Sequence, residues 1–188
     1  AYYTLYRSTA TIPASTESEY TIGMRLANEA IQRWATYDST FWHELYTTPA
    51  LEGDSTTVST GTTQYDGPSN FVSAGGHIKL LNSDGTVFQT YPILEPQEVQ
   101  FKSTQSNFAY FTGSPATGYV LNLNPTPTST QSGKTLDFVY YKSPTLFTTG
   151  TDITEMSDPY YIIHRMLANR FRASRNPYYS SALRDAEN

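Results

Sequence analysis

The spacing of hydrophobic residues along the chain changes from helical to strand-like and back to helical. Between residues 17 and 36 they recur every three or four positions, as in an amphipathic helix. They are Tyr20, Met24, Ala27, Ile31 and Trp34. From about residue 70 to 142 they alternate with polar residues, which indicates short strands. Helical spacing returns after residue 157, so the chain is predicted to be an α+β protein. Its terminal helices are expected to pack together, or on one sheet face, with a central antiparallel β-meander or sandwich.

The two predicted helices carry different start signals. Thr16 and Glu19 have the spacing of a capping box ahead of the first helix. Before the last helix, Ser157 or Asp158 can cap the free N–H groups, and Pro159 suits the first helical position because its missing donor is not needed there. These signals predict a first helix over residues 17–36 and a last helix that begins near residue 159.

The last helix is predicted to bury one apolar stripe and to expose its arginines. The stripe consists of Tyr160, Ile163, Leu167 and Phe171, with Met166 at its edge. Arg165 and Arg172 fall on the opposite side of a helical wheel. Arg170 intrudes on the stripe, so its side chain is expected to extend to solvent or to meet a carboxylate. A second short helix is predicted to follow from residues 176–177.

The central region is predicted to form short strands separated by turns. HIKLL and VFQTYPIL flank NSDGT, which is the pattern of a hairpin with Asp84 and Gly85 at its turn. The stretches VQFK, FAYFTG, YVLNLNP and TLDFVYYKSP add further strands. Ahead of them, DSTFWHELYTTP is predicted to form a helical turn or short strand that buries Phe41, Trp42 and Leu45.

The 188 residues are predicted to form a single domain, which is long enough to bury a sizeable core. An extended lead-in and the first helix occupy residues 1–50, and a mobile loop with little hydrophobic content occupies residues 51–68. A β-rich part over residues 69–150, a helix over residues 151–175 and a C-terminal tail over residues 176–188 complete the predicted organisation.

Composition narrows the class of protein without identifying one. Only 15% of the residues are charged, whereas 14% are aromatic and 16 are tyrosines, which is typical of a β-rich protein with a polar surface. The chain has no cysteine, so disulfides and thiolate zinc sites are excluded. No run of about 18 apolar residues occurs and the start lacks a basic stretch followed by an apolar one, so neither a membrane span nor a signal peptide is expected.

Three short stretches resemble catalytic motifs but lack an essential residue or context. STQSGKT matches the end of a phosphate-binding loop, yet Thr128 replaces the required glycine and the segment leads into a strand. HELYT has Thr47 where a zinc protease needs its second histidine. Glu95 and Glu98 lie in a predicted exposed loop, where burial does not raise a carboxyl pKa for acid catalysis. The sequence therefore predicts no enzyme, no metal site and no cofactor.

Charge is unevenly distributed along the chain. Residues 159–188 hold five arginines against Asp185 and Glu187, a net charge of +3, so residues 1–158 carry a net charge of −8. The basic end is a candidate binding site for an acidic partner, whereas a merely solvated helix face explains the same pattern. Nucleic-acid binding receives less support because the whole chain has a net charge of −5. The candidate partner-binding residues are Arg165, Arg170, Arg172, Arg175, Tyr178, Tyr179 and Arg184.

Two stretches resemble the head-to-tail adaptor (connector) proteins of tailed bacteriophages. In the C-terminal third, the shared pattern is a Pro-x-Pro turn, a strand ending in Tyr-Tyr and a basic residue, a Leu-Thr-Thr-Asp-like linker and an Asp-Pro-Tyr-Tyr helix start. These elements are Pro125 and Pro127, Tyr140 to Lys142, Phe147 to Asp152, and Asp158 to Tyr161. Nearer the start, the family's Leu-x-Asn-Glu-Ala stretch and Trp-x-x-Leu close correspond to Leu26, Asn28, Glu29, Ala30, Trp42 and Leu45. The middle departs from the family pattern, with Asn70 in the place of an acidic residue.

The resemblance implies a structural protein of the phage neck, made in the cytoplasm of the bacterial host. Family members assemble as a ring, commonly of twelve copies, under the portal protein and lengthen the DNA channel toward the tail. The implied partners are the portal protein, tail or nozzle proteins and further copies of the chain, with transient non-specific contact to channel DNA and no membrane. The alternative is a carbohydrate-binding or other structural module of a phage tail or adhesin, because aromatic rings on Thr/Ser-rich strands can stack on sugars.

Overall fold

A computed structural model of the chain describes residues 13–37, 42–101, 107–175 and 177–187. These residues form helices and antiparallel sheets, so the predicted α+β class is confirmed. The chain divides into two compact units. The helical unit comprises Ala1–Glu44 and Pro144–Asn188, and the β unit comprises Leu45–Ser143.

The secondary-structure elements follow one another in this order along the chain. They are α1 (Ser18–Ala35), a 3₁₀-helix (His43–Leu45), β1 (Tyr46–Thr47), α2 (Pro49–Glu52), β2 (Thr56–Thr57), β3 (Gln64–Asp66), β4 (Phe71–Ala74), β5 (His77–Leu81), β6 (Val87–Pro92), α3 (Pro96–Val99), β7 (Phe108–Ser114), β8 (Gly118–Asn124), β9 (Thr135–Asp137), β10 (Tyr140–Lys142), α4 (Tyr160–Ala173) and α5 (Tyr179–Glu187). The helices predicted near both ends of the chain are therefore confirmed, as is the short helix after residue 176. The predicted extended lead-in over residues 1–12 lies outside the described residues.

Helix α1 packs against α4, as predicted, but it begins differently from the prediction. Its buried residues are Gly23, Leu26, Ala27, Ala30, Ile31 and Trp34. The predicted capping box of Thr16 and Glu19 is wrong. Instead, the Glu17 carboxylate accepts a hydrogen bond from the Ala14 N–H at 3.1 Å. The Glu19 carboxylate accepts from Arg170 at 3.2 Å, and a charged guanidinium is a stronger donor than a neutral backbone N–H.

The end of α1 is held by the two tryptophans. The Trp42 indole N–H donates to the Trp34 carbonyl at 2.7 Å, and the two rings stack with their centroids 5.4 Å apart. Trp42 is half-buried and Leu45 fully buried, in agreement with the prediction, while Phe41 lies outside the described residues. The hydrogen bond satisfies one of the carbonyls that a helix leaves without a partner in its last turn.

Helix α4 keeps its predicted start but buries a different face. The Asp158 carboxylate accepts from the Tyr160 N–H at 2.9 Å, whereas the Ser157 hydroxyl donates to Glu44. The buried residues are Ile162, Met166, Leu167 and Ala168. Leu167 and Met166 are buried as predicted, whereas Ile163 and Phe171 are only half-buried and Tyr160 is 63% exposed, so the predicted stripe is wrong in part. The physical reason is that α4 contacts both α1 and α5, so two sides of the helix are covered rather than one stripe.

The β unit contains three small sheets in which all neighbouring strands are antiparallel. Their strand orders are β1-β10-β4, β2-β9-β5-β6 and β3-β8-β7. The predicted hairpin is present as β5 and β6, and Gly85 at its turn has φ 80°. The predicted strand VQFK is wrong for its described residues because Pro96 starts the short helix α3, where the Glu98 carboxylate accepts from the Glu95 N–H at 3.3 Å.

An aromatic and aliphatic core fills the β unit. It consists of Val58, Tyr65, Phe71, Ile78, Leu80, Tyr91, Ala109, Leu121, Leu123, Leu136, Phe138 and Tyr140. Phe71 lies against Phe111 and Tyr140, with ring centroids 4.4 and 5.8 Å apart. The segment predicted as a loop over residues 51–68 contains β2 and β3, and Val58 within it is fully buried. Strands of two or three residues are too short to leave a periodic signal in the sequence.

The β7–β8 hairpin depends on one glycine. Gly113 has φ 111°, and a Cβ atom placed there would lie 2.1 Å from the Gly118 carbonyl oxygen. Such a distance is far inside van der Waals contact, and the backbone conformation is one that other residues rarely adopt. The hairpin therefore closes only because position 113 has no side chain.

Candidate functional site

An arginine-lined groove runs between α1 and α4 in the helical unit. We call it the arginine groove; its volume is about 410 Å³. It is lined by Ile22, Arg25, Leu26, Glu29, Asn169, Arg170, Arg172 and Ala173. Three guanidinium groups and one carboxylate are among these side chains, and guanidinium groups are suited to binding carboxylates.

Two of the three arginines are held by carboxylates of α1. Arg25 donates to Glu29 at 2.7 Å one turn along the same helix, and Arg170 donates to Glu19 at 3.2 Å between the two helices. The prediction that Arg170 meets a carboxylate is thereby confirmed. Arg172 is exposed and forms no ion pair with any residue that the structure describes. Its guanidinium is thus the one in this groove best placed to meet a partner.

The structure brings only some of the predicted partner-binding residues together. Arg170 and Arg172 share the arginine groove, and they are joined there by Arg25, which the sequence reasoning missed. The i, i+4 spacing of Arg25 and Glu29 indicates a surface ion pair on the first helix, but it does not indicate a position in a groove. Arg165 is half-buried elsewhere on α4.

The remaining predicted residues lie around the α4–α5 connection. Arg175 follows α4 and has φ 53°, a left-handed conformation that lets the chain reverse toward α5. Tyr178 is 68% exposed, Tyr179 is half-buried and Arg184 is exposed. Helix α5 packs on α4, with Ala182 buried. The C-terminal residues therefore form a helical hairpin with α4, and the basic side chains lie along its surface.

A second groove of the helical unit is apolar. We call it the apolar groove; its volume is about 400 Å³. It is lined by Tyr20, Gly23, Met24, Ala27, Phe147, Thr149, Gly150, Asp152, Ile153, Thr154, Pro159, Ile162, Ile163 and Met166. One wall belongs to α1, one to α4 and the third to residues 147–154.

The loop wall of the apolar groove is fixed to α1 by Asn28. The Asn28 side chain accepts from the Phe147 N–H at 2.8 Å and donates to the Phe147 carbonyl at 3.0 Å. The Asp152 carboxylate accepts from the Thr149 hydroxyl and from the N–H groups of Thr149 and Thr148, the latter two at 2.8 and 2.6 Å, and these hydrogen bonds lower the pKa of Asp152. Two stretches noted for their resemblance to adaptor proteins, around Asn28 and over residues 147–152, therefore contact each other directly.

A polar network centred on Glu52 links α2 to β1, to β10 and to the turn that precedes β4. The Glu52 carboxylate accepts from Lys142 at 3.0 Å, from Thr47 at 2.9 Å and from Asn70 at 3.0 Å, and Asn70 in turn accepts from the Tyr140 hydroxyl at 2.8 Å. Burial opposes ionisation of Glu52, but the hydrogen bonds and the Lys142 charge outweigh it and lower the Glu52 pKa. Burial, with the charges of Glu52 and Asp54, raises the pKa of Tyr140 to about 12.

This network explains the amide at position 70. An acidic side chain there would place a second carboxylate about 3 Å from that of Glu52, and two like charges at this distance repel each other strongly. The Asn70 amide instead donates to Glu52 and accepts from Tyr140. The network is therefore structural, because all its members are engaged with one another.

The stretches that resemble catalytic motifs have ordinary structural roles. Thr128 starts a turn in which its N–H and hydroxyl donate to Gln131, and this turn leads into β9. HELYT forms the 3₁₀-helix and β1. Over the described residues, no group of three or more metal-ligating side chains occurs, and no helix has the length and hydropathy of a membrane span.

Comparison with known proteins identifies the family. Among curated proteins, none matches the chain. A protein-family model described as SU10 adaptor protein matches residues 3–187, which is nearly the whole sequence. The match includes both units and both grooves. The chain therefore belongs to the SU10 adaptor protein family and is a structural protein of the bacteriophage particle that associates with other head–tail components.

Proposed function

We propose that this adaptor forms an oligomeric ring under the phage portal, with twelve copies as the expected number, and that the ring extends the DNA channel toward the tail or nozzle proteins. The family match is the observation that carries the proposal. The ring would belong to the virion neck after synthesis in the host cytoplasm, and its subunits would need interaction surfaces rather than a catalytic centre.

The distribution of basic residues supports a division of labour within the chain. All eight arginines lie in the helical unit, and all four lysines lie in the β unit. Arginine forms paired hydrogen bonds with carboxylates and is enriched in protein interfaces, whereas lysine is depleted there. The helical unit is therefore the better candidate for contact with the portal.

Within the helical unit, the α4–α5 hairpin carries the candidate portal contact. Arg172 and Arg175 are exposed there, and Tyr178 adds a large, exposed ring with a polar tip. Tyrosine and arginine are among the residues most often responsible for binding energy at interfaces. The proposed portal-binding surface comprises Arg165, Arg170, Arg172, Arg175, Tyr178, Tyr179 and Arg184.

The acidic remainder of the chain suits passage of DNA. Residues 1–158 carry a net charge of −8, and like charges disfavour tight binding of the phosphate backbone. Contact with channel DNA would accordingly be transient and independent of sequence. Binding that releases few counterions is weak. Weak contact of this kind would let DNA slide past the ring.

The first experiment is to mix the purified protein with the portal ring of its source phage and to weigh the products by native mass spectrometry. We expect a discrete gain of about twelve subunits, the number implied by the adaptor resemblance. A mass gain with another integer number of copies corrects the stoichiometry. No association in a sample shown to be folded contradicts the proposal.

The portal surface is tested by a double substitution of two exposed arginines. Arg172→Gln with Arg175→Gln removes two charges from the hairpin, and we expect at least about a tenfold weaker portal binding, since two charged hydrogen bonds are worth more than 1.4 kcal/mol. The matched control, Arg33→Gln with Lys79→Gln, removes the same charge from exposed positions elsewhere. Equal binding by both variants rejects this surface.

Substitution is a sharper test than deletion of residues 176–188. Helix α5 packs on α4, so its removal exposes apolar surface of α4 and disturbs the fold together with the contact. The glutamine variants leave that packing in place. A loss of binding can then be assigned to the guanidinium groups.

The aromatic strands give little support to carbohydrate binding. Most rings of the β unit point into its core, including Phe71, Tyr91, Phe138 and Tyr140. A sugar-binding platform needs exposed ring faces, as stacking requires access to the π surface. The composition that suggested a sugar-binding module is thus used for packing.

A further inference from the structure

The segment that precedes α4 presents an exposed apolar side chain on a rigid support. Ile153 has the largest exposed fraction, 87%, among the large hydrophobic residues of the described chain. Beside it, Asp152 accepts hydrogen bonds from two backbone N–H groups, and Glu155 accepts from the N–H and the hydroxyl of Thr145 at 2.9 and 3.0 Å. Because these hydrogen bonds already fix the segment, a partner that covers Ile153 has little ordering cost to overcome.

The same segment is acidic. Residues 151–158, which we call the acidic loop, contain Asp152, Glu155 and Asp158 and no basic residue, so their net charge is −3. The hydrogen bonds to Asp152, led by that from the Thr149 hydroxyl, hold its pKa low, so its carboxylate is charged at neutral pH. The acidic loop therefore offers an apolar side chain, Ile153, between carboxylates.

The arginine groove has the complementary chemistry. Ile22 and Ala173 contribute apolar surface to it, and the exposed Arg25 and Arg172 contribute positive charge. Arg25 also donates to Glu29, but a guanidinium has several N–H donors in one plane, so a second carboxylate can be bound. A segment with one apolar side chain and flanking carboxylates thus matches the groove in both polarity and charge.

The acidic loop and the arginine groove lie on different sides of α1. Ile153 lines the apolar groove, whose α1 wall includes Tyr20 and Met24, whereas Ile22 and Arg25 line the arginine groove. At about 100° per residue, these two pairs of positions occupy opposite sides of the helix. The two surfaces of one chain therefore cannot meet each other. A contact between them joins two copies head to tail, which is the type of contact that closes into a ring.

We propose that the acidic loop of one copy binds in the arginine groove of the next copy. The inference rests on the proposed ring and names the surfaces that its neighbouring subunits share. The α1 wall of the groove, with Ile22 and Arg25, belongs to this contact alone. Arg170 and Arg172, on the α4 wall, lie at its border with the proposed portal surface.

The contact is tested by cross-linking single-cysteine chains, since the protein has no cysteine of its own. One chain carries Ile153→Cys and the other carries Ala173→Cys in the arginine groove. The two chains are mixed on the portal ring, and also at high concentration without the portal. A short bis-maleimide then joins nearby thiols, and intact mass separates mixed dimers from dimers of one variant. In the control mixture, Ser83→Cys in the exposed β5–β6 turn replaces Ala173→Cys.

We expect the mixed dimer of Ile153→Cys and Ala173→Cys to be at least about tenfold more abundant than the mixed dimer of the control, because docking raises the local thiol concentration. Mixed dimers at the control level overturn the proposal. A predominance of Ile153→Cys dimers also overturns it, since that result means a symmetric contact between two acidic loops.

A second measurement uses no cysteine. Ile153→Arg places a further cation against the arginine groove, and a residue this exposed tolerates substitution without loss of the fold. We expect the concentration needed to fill half of the portal sites to rise at least about tenfold, with partly filled rings in native mass spectra. The matched control is Leu51→Arg, at 79% exposure in the β unit. Equal filling by the two variants overturns the proposal.

The results separate this contact from the ring itself. Complete rings of the unmodified protein without the mixed dimer reject the contact and leave the ring in place. If the unmodified protein does not associate with the portal, the proposed ring is wrong, and the mixture without the portal then decides on the contact. Absence of the mixed dimer in that mixture overturns the contact as well.

Discussion

The two units of the chain differ in how completely they satisfy their own side chains. The β unit surrounds an aromatic core and engages its buried polar groups internally, as in the Glu52 network and the hydrogen bond from Gln131 to the Tyr91 hydroxyl at 2.8 Å. The helical unit leaves one groove lined by arginines and another lined by apolar groups. The β unit is therefore the more self-contained of the two, and the helical unit is the one for which we propose contacts with other molecules.

The largest expected effect comes from the core of the β unit. Leu80→Ala creates a cavity at a fully buried position and should lower the free energy of unfolding by about 2–5 kcal/mol. The matched control is Val87→Ala on the neighbouring strand, where 53% exposure predicts a change within about 0.5 kcal/mol. Urea unfolding followed by far-UV circular dichroism measures both. Similar losses in the two variants would show that the β unit is not tightly packed.

Asn70→Asp tests the self-contained polar network. The new carboxylate would lie beside Glu52, and we expect the free energy of unfolding at neutral pH to fall by about 1–3 kcal/mol. Adding Glu52→Gln removes the repulsion and should restore part of the loss. The measurement is urea unfolding of the single and double variants. If Glu52→Gln worsens Asn70→Asp additively, the two side chains do not interact.

Glu52→Gln alone should change how the free energy of unfolding depends on pH in the acidic range. Because the Glu52 pKa is lowered in the folded protein, its contribution is present above the unfolded pKa of about 4.3 and is lost as pH falls through the folded pKa. The variant should therefore be less stable than the original by about 1–2 kcal/mol at pH 7, and the difference should shrink below about pH 4. A difference that is constant from pH 3 to 7 would contradict this role.

Tyr140→Phe should have a smaller effect, at the alkaline end. The folded pKa of Tyr140 is about 12, above the ordinary value of about 10, so neutral Tyr140 stabilises the fold fully below pH 10. That contribution is lost as pH rises from about 10 to 12. The variant loses the hydrogen bond to Asn70, worth about 0.5–1.5 kcal/mol, and should unfold less steeply with alkali. An unchanged alkaline profile would count against the shift.

The smallest effect is expected on the surface of the helical unit. Arg25→Gln breaks an exposed ion pair within α1 and should cost about 0.3–0.5 kcal/mol at low salt, with less at high salt. Thermal unfolding followed by the fluorescence of the two tryptophans reports on this unit, since both tryptophans lie within it. A loss above about 1 kcal/mol would mean that the arginine groove contributes to the fold, which would weaken the contrast between the units.

Local patterns in the sequence were sufficient to predict most of the secondary-structure elements. The 3.6-residue period defined α1, and the Asp84-Gly85 turn defined the β5–β6 hairpin. The strands β2 and β3 were missed because two or three residues carry no periodic signal. The buried face of α4 was misjudged because its orientation depends on two neighbouring helices, and a single helical wheel contains information about neither.

The candidate site was predicted only in part, because the sequence pattern does not show which distant elements pack together. Arginine clustering near the end of the chain indicated Arg170 and Arg172. The intrusion of Arg170 on an apolar stripe predicted that its side chain extends to solvent or meets a carboxylate, and the second alternative is the one observed. Arg25 was missed because it enters the groove only through the packing of α1 on α4, a contact between residues far apart in sequence. The apolar groove arises likewise from three separate segments.

Gly113 has a consequence for how this chain can diverge over time. Any side chain there would collide with the Gly118 carbonyl, so almost every amino-acid substitution at this position is expected to be harmful. At Gly85, in the exposed turn between β5 and β6, an added Cβ atom would meet nothing within 4 Å, so the penalty there is limited to the strain of a positive φ. In a collection of divergent relatives, an invariant glycine in this hairpin would mark the register of the β7–β8 pair even where every neighbouring letter has changed.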